Sequence, residues 1–315
     1  MKKLKEILFM EPVLKDMIWG GNRLKDEFSY EGAGDKTGEA WAVSAHPNGD
    51  CLIKNGEWKG KTLSFVWNEH REVFGGMVGD KFPLLIKIID AKDDLSIQVH
   101  PDDNYAKVHE HGSFGKTECW YILDCEENGT IVMGHNAKTK EELCQMIDEK
   151  KWDKLIRTIP IKKGDFLQIN PGTVHAIKGG TLILETQQNS DITYRVYDYD
   201  RLSNGKLREL HVDKSKDVIK VPFEDFKMPE TADENQAVET LIACNYYTVQ
   251  KFTIRKAETF TQNHNFQIMS VIEGNGTIDG ISIQKGDHFM IPSGYGEYRL
   301  NGNMTLIGSF VTENK

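Results

Sequence analysis

Leu95-Ser96-Ile97-Gln98-Val99-His100-Pro101-Asp102 alternates polar and apolar side chains with the period of a strand. At that period Ser96, Gln98 and His100 share one face while Ile97 and Val99 pack on the other. The polar face of one short strand therefore sets an amide oxygen beside an imidazole. Downstream, Glu118 in Lys116-Thr117-Glu118 offers a carboxylate, and His175 in Gly172-Thr173-Val174-His175 offers a second imidazole. Gln98, His100, Glu118 and His175 together form an N/O donor set suited to one divalent ion such as zinc. Glu118 opens the apolar run Cys119-Trp120-Tyr121-Ile122-Leu123, where a buried carboxylate is costly without a cation. The metal supplies that cation; a salt bridge to Lys116 is the alternative. Pro101 ends the strand and places His100 near a sheet edge.

Around this core, short β-rich runs span 82–90, 95–100, 118–123, 129–133, 165–169, 181–186 and 192–199. Helical spacing of apolar residues is confined to 61–74 and 138–156, with Thr139 ahead of Glu141 and Glu142 as a helix start. The fold class is therefore mainly β, a sandwich or barrel with a few added helices. A weak repeat sharpens this. Lys163-Gly164-Asp165, Ile169 and Gly172 return at the same offsets as Lys285-Gly286-Asp287, Ile291 and Gly294, and Asn128-Gly129-Thr130-Ile131 is echoed by Asn275-Gly276-Thr277-Ile278. Two copies of one β unit are expected. The first, 1–220, carries the metal ligands and a helical insertion; 221–239, acidic and with Pro222 and Pro229, is a linker; 240–315 is the second unit. In that second copy Glu297 falls where His175 lies in the first, and no Gln-x-His pair precedes it, so it is expected to be metal-free.

The chain of 315 residues is 39% apolar, enough to bury a sizeable core. Its formal charge of −9 disfavours nucleic acid and anionic membranes as partners. A phosphorylated substrate would have to be met by local cations. Five cysteines without C-x-x-C spacing argue against a disulfide framework, and the apolar run near the start is too short for a signal peptide. A cytoplasmic protein, monomer or homodimer, is the expectation. His109-Glu110-His111, flanked by Gly112 and Gly115, reads as a solvated loop, and His46, His135, His211, His264 and His288 carry no pattern beyond surface or structural roles.

The Leu95–Asp102 stretch, Lys116-Thr117-Glu118, and Asn189-Ser190-Asp191 leading to Arg195, with Trp19-Gly20-Gly21 and Gly38-Glu39-Ala40-Trp41 upstream, resemble the type I mannose-6-phosphate isomerases of the cupin superfamily, in their short form. The resemblance covers about two-thirds of the chain, through Arg201. It departs at Thr117, where proline is common, and in Tyr197-Asp198-Tyr199-Asp200-Arg201. It implies two cupin-like double-stranded β-helix units, one zinc per chain, and interconversion of mannose 6-phosphate and fructose 6-phosphate through a cis-enediol. It further implies Lys116 as a base, with an ammonium tuned by the neighbouring metal, and Arg195 as a stabiliser of enediolate charge or a phosphate clamp. Asp191 would orient that arginine or assist ring opening. Ser96 and Lys87 are candidates for the phosphate. The rival readings are a metal-dependent cupin oxygenase and a sugar-binding cupin without turnover.

Overall fold

The computed structural model describes residues 6–203, 205–226 and 236–312. Strands dominate, and the first unit is built from two antiparallel sheets facing each other. One runs in the order Phe166–Ile169, Glu118–Asp124, Thr181–Gln188, Leu84–Ala91, Thr37–Val43, Val13–Asp16. The other runs Ile156–Pro160, Thr130–His135, His175–Ala176, Ile97–Val99, Tyr194–Tyr197. Trp19, Ile89, Trp120, Ile122, Ile131 and Ile183 fill the space between them.

The outer face of the six-stranded sheet is apolar as well. Leu84, Ile86, Ile88, Cys119, Tyr121 and Leu184 pack in one core with Phe266, Ile268 and Met290 of the second unit. Leu84–Ala91 and Thr181–Gln188 are consequently buried along their whole length. This explains their near-continuous apolar character. It also means that Lys87, Glu185 and Gln187 inside these strands must find partners within the protein.

The second unit is a larger antiparallel sheet containing Val238–Ala243, Thr248–Ile254, Phe266–Ile278, His288–Pro292 and Gly296–Phe310. The early strand Leu8–Glu11 pairs with His288–Pro292, so the start of the chain is woven into this sheet. Of the stretch expected as a linker, residues 227–235 lie outside the described residues. Phe223 packs over Arg157, and Asp225 pairs with the same guanidinium, so 221–226 lie against the first unit.

The repeat is visible down to single hydrogen bonds. Asp165 Oδ2 accepts from the Lys162 amide and Asp287 Oδ2 from the Gln284 amide. The Gly164 amide donates to Ile122 O and the Gly286 amide to Val271 O, with φ of 91° and 95°. That left-handed backbone explains the glycine in each copy. The asparagine echo is not structural: Asn128 sits in a turn at φ 60°, whereas Asn275 lies within the strand Phe266–Ile278. The pattern of four residues was matched but the local hydrogen bonding differs.

Other expectations shift in detail. The 61–74 segment is an α-helix, Leu63–Glu69, followed by a 3-10 turn, Arg71–Phe74. The 138–156 segment splits into Lys140–Asp148, capped by Thr139, and Trp152–Leu155. Asp103–His109, outside the expected helical segments, is also a helix, because Asp102 caps it by accepting from the Tyr105 amide. His109 ends it, stacked on Tyr105. Ile97–Val99 has strands on both sides, so His100 stands at a strand end and not at a sheet edge. No described helix is long and apolar enough to cross a membrane.

Gly38 allows the close approach that positions Glu39. A Cβ there would lie 2.6 Å from the Trp19 ring and 2.8 Å from Met17 Cβ, both inside contact distance. At the junction of the units, Tyr30 OH lies 2.6 Å from His288 Nε2, and His288 Nδ1 lies 2.8 Å from Ser270 Oγ. Burial, aided by Lys54, pushes the His288 imidazole down to about 3. An unfolded histidine takes up its proton near 6.5, so the unfolded chain binds more protons as pH falls below that value, and stability falls with it. His288→Gln is expected to flatten the stability curve by up to about 1.4 kcal/mol per pH unit between pH 6 and 4. Urea unfolding across that range reads the slope; an unchanged slope refutes the neutral imidazole.

Candidate metal centre

Strand register assembles the centre. In the five-stranded sheet Met133 faces His175, His175 faces Gln98, and Gln98 faces Arg195. Partners in register share a face, so His175, Gln98 and Arg195 form one row. In the opposing sheet Glu118 is flanked by Ile169 and Gln187. The two sheets bring His100, Glu118 and His175 together with donor atoms all within 4.8 Å of one another. Among the described residues these three form the one such cluster of His, Cys, Asp or Glu.

The separations are informative. His100 Nε2 lies 3.2 Å from His175 Nε2 and 3.4 Å from Glu118 Oε2, and His175 Nε2 lies 3.3 Å from Glu118 Oε1. Donors about 2.0–2.1 Å from one ion at tetrahedral angles stand about 3.3 Å apart. His175 Nδ1 donates to Thr173 O at 2.9 Å, which leaves the Nε2 lone pair directed at the cluster. His100 Nδ1 has no partner among the described residues, and neither oxygen of Glu118 accepts a well-formed hydrogen bond. All three side chains are buried away from water, and besides the Lys116 ammonium 2.9 Å from Oε2 the Glu118 oxygens meet only the two imidazoles. A divalent ion is the chemistry that satisfies them.

Protonation follows the same logic. Burial and the nearby Lys116 ammonium push His100 down to about 3, against the pull of Glu118. Burial also lowers His175. For Glu118, burial alone would favour the neutral acid, but Lys116, His100 and His175 outweigh it and hold the carboxyl well below the usual range. Two neutral imidazoles and an ionised carboxylate are the ligand states a cation requires.

Next to the cluster runs a buried ladder of alternating charge. Lys116 Nζ lies 2.9 Å from Glu118 Oε2 and 3.9 Å from Glu185 Oε1. Lys87 Nζ lies 3.4 Å from Glu185 Oε1 and 3.6 Å from Glu39 Oε2. Burial acts to lower Lys87, but Glu39, Glu185 and Glu118 together raise it. Burial and the Glu118 charge raise Glu185. The two carboxylates flanking Lys87 are each held by an indole: Trp120 Nε1 donates to Glu185 at 3.0 Å and Trp41 Nε1 to Glu39 at 2.7 Å. Register explains the row, since Trp120, Glu185, Lys87 and Trp41 face one another across four strands.

Glu39 and Glu185 were not among the residues singled out from the sequence. The signal was Lys87 itself, set in Leu84-Leu85-Ile86-Lys87-Ile88-Ile89, where a buried ammonium demands carboxylates. Of the candidate residues, Gln98, Lys116, Lys87 and Arg195 lie in or beside this arrangement, and Ser96 is buried just ahead of Gln98. Asp191 is held elsewhere: it is partly exposed, hydrogen-bonded by Asn48 Nδ2, with His46 Nε2 at 3.5 Å. Arg195 Nη1 donates to Glu209 O at 2.8 Å while its Nε is buried and unpartnered among the described residues.

Residues 7–128 match the family model for the type I phosphomannose isomerase catalytic domain, and residues 237–311 match that for the mannose-6-phosphate isomerase cupin domain. The chain is 51% identical over 311 residues to the mannose-6-phosphate isomerase ManA of Bacillus subtilis, covering 96% of this chain and 98% of that protein. It is 44% identical over 315 residues to the mannose-6-phosphate isomerase of Streptococcus mutans, covering 98% and 99%. The crystal structure of a Bacillus subtilis mannose 6-phosphate isomerase superposes with a TM-score of 0.94 at 48% identity, over 96% of this chain and 99% of that one. Two matched family models and near-complete alignment to relatives well above the identity at which families diverge leave one conclusion: the chain belongs to the type I phosphomannose isomerase family.

Proposed function

We propose that this protein interconverts mannose 6-phosphate and fructose 6-phosphate with one zinc ion held by Gln98, His100, Glu118 and His175, through a cis-enediol. The observation that carries the reading is the convergence of two neutral imidazoles and one ionised carboxylate, 3.2–3.4 Å apart, in a chain aligned end to end with named isomerases. Zinc suits a set of two imidazole nitrogens, one carboxylate and one amide oxygen. Bound there, it supplies Lewis acidity toward sugar oxygens that gain negative charge.

The residues of the chain do the rest. Lys116, as the neutral amine left after it passes a proton to Glu185, takes the C2 proton of the open-chain aldose; the C2–H electron pair becomes the C1–C2 double bond, and the C1 carbonyl pair moves onto O1, which gains a proton. Returning a proton to C1, with loss of the proton on O2, gives the ketose. Glu185, 3.9 Å from Lys116 and raised by burial, is the partner that exchanges protons with it. A cation held by Glu118 would take over the charge that Lys116, 2.9 Å away, neutralises, and would leave the lysine free to turn to the sugar. Arg195, in register with Gln98, sets positive charge beside the developing enediolate. Lys87 Nζ stands between Glu185 and Glu39, 3.4 and 3.6 Å from their carboxylates. Asp191 takes no step in this scheme.

A coupled assay with mannose 6-phosphate tests it. Turnover is expected, is abolished by a chelator, returns on adding zinc, and in heavy water carries deuterium into the product. Absence of turnover in the zinc-loaded protein, or oxygen consumption in its place, overturns the reading in favour of a binding module or an oxygenase.

A further inference from the structure

We propose that Tyr246 of the second unit is a positioning residue for the proton-transfer lysine: acting through Asp103, it fixes the backbone from Gly115 to Thr117 that carries Lys116. The proposal rests on the isomerase reading for the reaction and for the part Lys116 plays in it; the clamp itself is argued from hydrogen bonds and close approach.

The segment just ahead of Glu118 has no regular structure, yet its amides are tied one by one. Gly115 N donates to Asp103 Oδ1 at 2.7 Å, Lys116 N to Pro101 O at 3.0 Å and Thr117 N to Gln188 Oε1 at 2.9 Å. The Gln188 amide group is itself held, since its Nε2 donates to the same Asp103 Oδ1 at 3.0 Å. Asp103 therefore governs Gly115 directly and Thr117 through Gln188. Gly115 is pressed onto the start of the helix that Asp103 opens: a Cβ there would stand 2.4 Å from Asp102 C and 2.5 Å from Asp103 N. What this backbone places is the Lys116 ammonium, 2.9 Å from Glu118 Oε2 and 3.9 Å from Glu185 Oε1.

The other oxygen of Asp103 is held from the second unit. Tyr246 Oη donates to Asp103 Oδ2 at 2.8 Å. Tyr246 lies in the short connection between Val238–Ala243 and Thr248–Ile254, closed by Cys244 N donating to Tyr247 O at 2.9 Å. Its neighbour anchors that hairpin: Tyr247 is buried in the core shared by the two units, and its hydroxyl donates to Gln168 Oε1 at 3.2 Å. Burial and the Asp103 carboxylate push the Tyr246 phenol up to about 12, so it remains a donor through neutral pH. A hydrogen bond to a carboxylate is stronger than one between neutral groups, and this one stops the Asp103 carboxylate from turning about its Cβ–Cγ bond. Without it, Gly115 and Gln188 share an acceptor that can rotate away. Displacement of a catalytic group by about 1 Å can cost about 10² in rate. The metal-free unit thus acts on the reaction as the outer support of the segment that bears the base.

The competing role for Tyr246 is adhesion between the units. Tyr247 supplies the control, because it sits in the same hairpin and its phenol also bonds to the first unit, but its acceptor is on the strand Phe166–Ile169 and not on Asp103.

The test uses the zinc-loaded full chain, with mannose 6-phosphate in the coupled assay and hydrogen exchange read at the amides of residues 115–117. Tyr246→Phe is expected to lower kcat about tenfold with KM and zinc content within twofold of wild type, and to speed exchange at Gly115 and Thr117. Asp103→Ala should lower kcat further, and Tyr246→Phe added to it should cost nothing more, since the phenol acts only through that carboxylate. Tyr247→Phe should lower the urea midpoint while leaving kcat and the exchange at 115–117 unchanged. The proposal is overturned if Tyr246→Phe leaves kcat and exchange as in wild type, if its loss of kcat disappears when expressed per bound zinc, or if the two substitutions multiply in full. The exchange reading in Tyr246→Phe stands without the second variant. Faster exchange in Tyr246→Phe, in a wild-type background that does not turn over mannose 6-phosphate, would sink the isomerase reading and leave the clamp in place.

Discussion

Glu118→Gln is expected to retain less than about a tenth of the wild-type metal and to lose turnover by a factor of about 10³ or more. Glu118 is the one carboxylate among the three converging donors, and its two oxygens each face an imidazole at 3.3–3.4 Å. Without it, a dication would rest on neutral ligands beside the Lys116 ammonium, which lies 2.9 Å from that carboxylate. The amide keeps size and shape, so the loss reports charge. His100→Gln and His175→Gln should fail similarly, because a buried imidazole offers a lone pair that no other described residue replaces at that point. Gln98→Ala should cost less, since a neutral amide contributes least to holding a cation. A second effect is separable from catalysis. Removing Glu118 leaves Lys116 with Glu185 at 3.9 Å as its remaining close carboxylate, and an orphaned buried charge destabilises by about 3–5 kcal/mol. Adding Lys116→Met to Glu118→Gln should therefore recover stability in urea without recovering metal. Full metal content in the Glu118, His100 and His175 variants would remove the centre altogether.

The part of this site that was legible in the sequence is the part a strand period or a repeat encodes. Gln98 and His100 share a face because they are two apart, and the register of Gln98 with His175 follows once both strands are antiparallel neighbours. The turns at Gly164 and Gly286 were legible because a left-handed backbone selects glycine in each copy. Glu185 was not, since the strand Thr181–Gln188 is buried on both faces and shows no alternation that would flag its carboxylate as inward. Its partner Lys87 is distant in sequence and meets it only through strand pairing. The Asp103–His109 helix was hidden by its charged, short sequence, where a single cap at Asp102 decides the conformation. Asp191 shows the opposite failure. The polar stretch Gln187–Ser190 before Arg195 is buried, yet the chain turns outward at Asp191, whose exposed carboxylate accepts from Asn48 Nδ2. Local polarity does not say which way a loop leaves a sheet.

Lys116→Met is expected to keep its zinc and lose about 10²–10⁴ in kcat, the range that a positioned proton-transfer group supplies. The two roles open to this lysine predict different things. If it only neutralises Glu118 and Glu185, a bound dication on Glu118 makes it dispensable, and the metal-loaded variant should turn over within tenfold of the wild type. If it moves the proton between C1 and C2, the ion cannot substitute for it, and the loss appears in kcat with KM little changed. Lys116→Arg separates charge from chemistry. It keeps a cation 2.9 Å or so from the Glu118 carboxylate but replaces an amine by a group that does not give up its proton, so it should restore stability and leave kcat low. Deuterium exchange gives the independent reading: in heavy water the methionine variant should show loss of label incorporation in proportion to turnover, because the same step controls both. Turnover near wild type in Lys116→Met would pass the proton-transfer role to Glu185, whose buried, raised carboxyl is the nearest other group of the ladder able to hold a proton.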